Sequence, residues 1–157
     1  MKENKIRTVT GHKNSKKEFV VADLVKDDER VQYVKPFTSR ELPPNSDEIY
    51  AEDYHYVLPT VMEDMVRDED VLLDQTINNH RYVIFAFQMT APVNVVFADD
   101  YGVIQIKDKW DNLFTVKVHN EKEIRSERVG EYLFDHEFDC VFYSDKDDVA
   151  VLKDMVV

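Results

Sequence analysis

The segment Leu133-Phe134-Asp135-His136-Glu137-Phe138-Asp139-Cys140-Val141-Phe142-Tyr143 concentrates groups that could do chemistry. With the period of a strand, Asp135, Glu137 and Asp139 line one face and Phe134, His136, Phe138, Cys140 and Phe142 the other. Adjacent carboxylates in such a row stand about 6.6 Å apart, near the spacing of phosphates along a nucleic-acid strand. Carboxylates are also the oxygen donors that Mg²⁺ and Ca²⁺ take, although a straight row does not converge on one ion. The plain alternative is a half-buried strand with a solvated outer face.

Other constellations are weaker. Glu52-Asp53-Tyr54-His55 is a Glu-x-x-His on a predicted helix, with Glu48 one turn earlier. Di-iron carboxylate bundles use that spacing, but they need a second pair and four long helices, and neither is visible here. Asp99-Asp100 ahead of Gln105-Ile106-Lys107 resembles metal-dependent nucleases that set an acid before a Glu/Gln-x-Lys strand. The resemblance implies carboxylates that hold Mg²⁺ and a lysine that positions water. Asp99-Asp100-Tyr101-Gly102 is equally an ordinary hairpin turn. The histidines (His12, His55, His80, His119, His136) lack His-x-His or His-x₃-His spacing, so zinc is not expected. Cys140 has acidic and aromatic neighbours, which raise a thiol pKa rather than activate it. The expectation is no catalytic residue, no metal and no cofactor.

Composition excludes more than it assigns. Among 157 residues only three are glycines, and Gly11, Gly102 and Gly130 stand alone. Neither a phosphate loop nor a dinucleotide fingerprint can be written around them. A single cysteine excludes an internal disulfide framework and fits a reducing, cytoplasmic compartment. No apolar run approaches the ~18 residues of a membrane span, and the start lacks the apolar stretch of a secretory signal. The net charge of −12 divides unevenly: +4 over residues 1–18, −10 over 41–76 and −6 over 129–157, with neutral stretches between. Brought together, the two acidic blocks would make a negative face that repels nucleic acid and attracts basic surfaces.

The elements that must position these residues follow from periodicity. Ile6–Thr10, Glu18–Val25 and Val31–Phe37 read as strands. From Asp47 a helical face, Tyr50, Tyr54, Val57, Val61 and Met65, is interrupted at Pro59, where Thr60-x-x-Glu63 predicts a kink or restart. Asp68–Gln75 reads as further helix. Arg81–Met89, apolar on both faces, reads as a central strand, followed by Val93–Phe97, Val103–Lys107, Leu113–Val118 and Tyr132–Tyr143. Glu121–Arg128 is a short helix or ragged edge, and Val149–Val156 closes the chain without a clear type. Short connections make hairpins, so the expected fold is α+β: an antiparallel sheet of about six to eight strands with a helical insertion in the middle third. One domain, 1–157, is expected, with 1–17 a loosely ordered basic arm.

The function expected on these grounds is a non-enzymatic acidic interaction protein. It would bind a basic protein surface, such as a nucleic-acid-binding enzyme, through Asp64, Asp68, Glu69, Asp70, Asp135, Glu137, Asp139 and Trp110. In that role it would mimic phosphates in the manner of small viral accessory proteins, and bind neither nucleic acid nor membrane directly. The alternatives are an assembly subunit that self-associates through its N-terminal arm and β-edges, and a Mg²⁺-dependent hydrolase or nuclease.

Overall fold

A computed structural model of the chain describes residues 4–12, 15–41, 54–77, 79–120 and 133–157. It divides into two compact units, Met1–Tyr33 with Thr90–Val157, and Val34–Met89.

The first unit is a five-stranded sheet in the order β2-β7-β1-β8-β9, built from β1 (Lys5–Gly11), β2 (Val31–Tyr33), β7 (Val93–Phe97), β8 (Leu113–His119) and β9 (Cys140–Tyr143). Every pairing is parallel. This corrects the expected antiparallel sheet, and the reason lies in two segments. Glu18–Val25 and Val103–Lys107, expected as strands, belong to helices α1 (Lys17–Val25) and α3 (Asp100–Lys107). Valines 20, 21 and 25 favour strands locally, but Val20, Val21 and Leu24 fall on one helical face and are buried there. Parallel strands need a long crossover, which α1 provides from β1 to β2 and α3 from β7 to β8. At α3 the acidic turn is a cap: Asp99 accepts the Gly102 N–H at 2.7 Å.

One sheet face buries Val9, Val95, Val116, Val118 and Phe142 against Val20, Val21 and Leu24 of α1 and Leu152 and Val156 of α4 (Val149–Val156). By strand alternation the opposite face carries Thr8, Thr10, Asn94, Thr115, Lys117 and His119, all buried. The basic start is not a loose arm over Lys5–Gly11, which forms the middle strand. Arg7 donates through Nε to the Val156 carbonyl (2.6 Å) and Lys5 through Nζ to that of Val157 (2.8 Å), holding the carboxyl end of α4. Burial pulls the Arg7 pKa down, and Asp139 partly offsets it.

The second unit is a four-stranded mixed sheet, β4-β3-β6-β5. Strand β3 (Phe37–Thr38) runs parallel to β4 (His55–Tyr56) and antiparallel to β6 (His80–Phe85), which pairs antiparallel with β5 (Val71–Ile77). Helix α2 (Pro59–Asp68) packs Met62 on Val83 and Phe85. Of the helix expected from Asp47, residues 47–53 lie outside the described residues and His55–Tyr56 is β4; α2 starts at Pro59, where proline at a first helical position forfeits no intrahelical bond. The segment expected as helix over Asp68–Gln75 is mostly β5, where strand pairing overrides local pattern. Among the described residues, no helix is long and apolar enough to cross a membrane.

Candidate phosphate-binding sites

In the first unit β1 lies between β7 and β8. The chain leaves β1 for α1 and β2 on one side, while β8 is followed by β9 on the other, so the connections diverge between β1 and β8. In open parallel sheets, ligands bind beyond the carboxyl ends of the strands at such a switch point. Here Gly11 ends β1, paired in register with Val118, and the connection to α1 begins.

A phosphate loop reads Gly, four residues, Gly, Lys, then Ser or Thr, between a strand and a helix. In this chain Gly11 takes the first glycine's place, Lys16 the second's, Lys17 the lysine's and Glu18 the hydroxyl's. Lys16 adopts φ 64° and ψ 30°, the left-handed conformation a glycine would take there. The Ser15 N–H donates to the His12 carbonyl (2.9 Å), and α1 begins after Lys16 with no side-chain cap. Amide groups at a helix start are anion ligands. Gly11 is required by close approach: a Cβ there would collide with the Ser15 hydroxyl and stand 3.0 Å from the Val118 carbonyl oxygen. The Ser15 side chain is wholly buried, and its hydroxyl has no hydrogen-bond partner among the described residues. Lys17 lies over the Phe97 ring (5.9 Å) and pairs with Glu18 at 3.3 Å.

Beyond the neighbouring strands the polar groups are committed inside the protein. Asp100 is buried, 3.6 Å from Lys117 Nζ, and accepts the Leu133 N–H at 2.8 Å. His119 Nε2 lies 2.9 Å from Asp135 Oδ1.

The second unit gathers a different set. Arg40 donates to the Tyr56 hydroxyl (2.9 Å) and the Tyr82 hydroxyl (3.4 Å), and its guanidinium lies over the rings of Tyr54 (5.3 Å) and Tyr56 (5.8 Å). Tyr54 packs on Tyr82 with ring centres 5.2 Å apart. The Arg40 Nε is buried with no hydrogen-bond partner among the described residues. The bond to Tyr56 raises the Arg40 pKa despite partial burial. A guanidinium edged by phenol hydroxyls is a donor set for phosphate or carboxylate.

The residues singled out from sequence fall elsewhere. The carboxylate row does not form, because Asp135–Glu137 is a 3-10 turn and β9 starts only at Cys140. Asp135 faces His119, Glu137 accepts the Phe134 N–H (2.7 Å), and Asp139 accepts the Thr115 N–H (2.8 Å). Asp64 and Asp68 flank Arg67 on the exposed side of α2, and Glu69 and Asp70 follow, exposed. Trp110 donates its indole N–H to the Asn4 carbonyl (2.8 Å), an internal tether. Gln105 and Lys107 lie on α3 and not on a strand, so the nuclease-like set does not converge. His55 is on β4, its ring tilted against Phe37 with centres 4.7 Å apart, while Glu48 and Glu52 lie outside the described residues. Glu121–Arg128 also lies outside them. No group of three or more His, Cys, Asp or Glu is placed to hold a metal ion among the described residues. Burial, then Asp147 and Asp139, raises the Cys140 pKa.

Sequence reasoning missed both clusters. The signal for the first was Gly11 followed at the motif's spacing by Lys17, obscured because Lys16 does a glycine's conformational work. The second joins Arg40, after β3, to Tyr54 and Tyr56 at β4 and Tyr82 on β6, which no local pattern connects.

No protein-family model matches the chain, and no curated protein sequence does. A solved structure does: the guanylate kinase from Anaplasma phagocytophilum superposes with a TM-score of 0.69 at 13% identity, covering 98% of this chain and 82% of that one. This overturns the expectation of a phosphate-mimicking acidic inhibitor, its likeness to viral accessory proteins, and the assembly-subunit and nuclease alternatives. The carboxylate row behind the phosphate-mimic reading does not form, and the largely parallel architecture is similar to that of the guanylate kinase. The chain is thus similar in fold to guanylate kinase.

Proposed function

We propose that the protein binds nucleoside phosphates through the β1–α1 connection of the first unit, while Arg40 and its tyrosines in the second unit form a separate donor set for a phosphate group. The observation that carries this is the switch-point connection, where Gly11, Lys17 and an uncapped helix start stand in phosphate-loop register. The likeness to a guanylate kinase supports it at the level of fold, and function must come from the site. A cytoplasmic, reducing location belongs to the same proposal, supported by the free thiol of Cys140.

Calorimetric titration with ATP, GTP, GMP and AMP is the test, followed by a coupled assay for phosphoryl transfer. Saturable binding is expected, weakened about tenfold or more in Lys17→Ala, since a charge-assisted hydrogen bond contributes about 1.5–3 kcal/mol. No saturable binding of any of these nucleotides at millimolar concentration would remove the proposal.

A further inference from the structure

Resting on the nucleotide-binding proposal, we infer that the β1–α1 site takes its phosphate without a divalent cation, the ammonium groups of Lys16 and Lys17 supplying the charge a metal would bring. Phosphate loops of this register hold Mg²⁺ through the Ser or Thr after the lysine and an acid from a neighbouring strand. The residues of this chain do not fit that ion. The hydroxyl position is Glu18, whose carboxylate points to Lys17 at 3.3 Å and is 60% exposed. The acids after β7 are engaged elsewhere: Asp99 with the Gly102 N–H, Asp100 with Lys117 and the Leu133 N–H.

What has been added is cationic. Lys16, exposed at the first turn of α1, stands where the motif has an uncharged glycine. Two consecutive lysines at an uncapped helix start bring positive charge to a phosphate, although Lys17 shares its charge with Glu18, and the amides add directed donors. The Ser15 hydroxyl points independently to a ligand. It is fully buried, lacks a partner among the described residues and lies against Gly11 inside the connection. An unmade bond at a buried hydroxyl costs about 1–3 kcal/mol. A phosphate oxygen would satisfy it.

The test is titration of the full chain with ATP in excess EDTA and again in excess MgCl₂. The dissociation constants are expected to agree within about threefold. Lys16→Gly is compatible with the observed φ, so its fold is preserved. It should weaken binding in EDTA about tenfold, the loss of one charge-assisted contact. Glu18→Thr should introduce a Mg²⁺ dependence that the native chain lacks. Binding by the native chain that tightens tenfold or more with Mg²⁺ would overturn the inference while leaving the nucleotide proposal standing. So would a Lys16→Gly variant that binds in EDTA as tightly as the native chain. Absence of binding in both arms would overturn the nucleotide proposal itself, and this inference with it.

Discussion

The first unit offers an anion main-chain amides at the start of α1, a left-handed turn at Lys16 and the lysines around it, whereas the second offers Arg40 among Tyr54, Tyr56 and Tyr82. Their interiors differ as well. The second unit packs Met62, Val83 and Phe85 together, while one face of the first unit's sheet buries Thr8, Thr10, Lys117 and His119. A main-chain site survives side-chain replacement as long as the backbone path is kept, which is how Lys16 can stand in a glycine's place. A site made of side chains depends on each of them. The buried polar face of the first unit's sheet gives it partners to lose, and the apolar core of the second chiefly volume.

The contrast can be broken most decisively at the buried pair. Lys117 and Asp100 are 3% and 4% exposed, and Lys117→Ala leaves a buried carboxylate without its cation. The expected loss is about 3–5 kcal/mol of stability by urea unfolding, partly recovered when Asp100→Asn is added. A loss below about 1 kcal/mol would mean that the polar face is wetter than its burial implies.

Arg40→Ala should cost the second site about 1.5–3 kcal/mol of phosphate affinity and abolish its saturable response in calorimetry. Lys17→Ala should weaken the first site without abolishing it, because the α1 amides remain. Complete loss at the first site, or retention at the second, would reverse the assignment of main-chain and side-chain recognition.

Gly11→Ala places a methyl group against Ser15 and the Val118 carbonyl. Overpacking of this kind costs about 1–3 kcal/mol in thermal unfolding, and Ser15→Gly in the same chain should return part of it. The smallest effect is a pH dependence in the second unit. Burial, then Lys35, holds the His55 pKa below its ordinary value of 6.5. The unfolded chain therefore takes up the proton first, so His55 contributes fully above the ordinary value and its contribution fades as pH falls below it. His55→Phe, which keeps a ring against Phe37, should flatten the dependence of the unfolding midpoint on pH below about 6.5.

Much of the secondary structure is legible from local pattern. Ile6–Thr10, Val93–Phe97 and Leu113–Val118 alternate as strands and are strands in the structure; Thr60-x-x-Glu63 marks a helix start within a residue of Pro59. The failures share one cause. In α1 and α3, β-branched residues suit a strand locally, and only packing against the sheet selects the helix. Once Val103–Lys107 is taken as a strand, its short connections force hairpins, so one local misreading converts a parallel sheet into an antiparallel one. Of the sites, the lysine run beside Gly11 was visible, but its meaning depends on strand order.

The sequence by itself determined what the chain cannot be, a glycine-rich or internally disulfide-bonded protein, and how its charge is divided among segments. It also carried the side chains of both clusters, since Gly11, Lys16, Lys17 and Arg40 are present whatever the fold. Tertiary structure alone decided that β1 lies between β7 and β8, and so that the connection after Gly11 opens at a switch point. It also decided that Arg40 meets Tyr54, Tyr56 and Tyr82. The physical reason is that strand order and side-chain convergence are set by pairings between distant segments, whose energies no local periodicity contains.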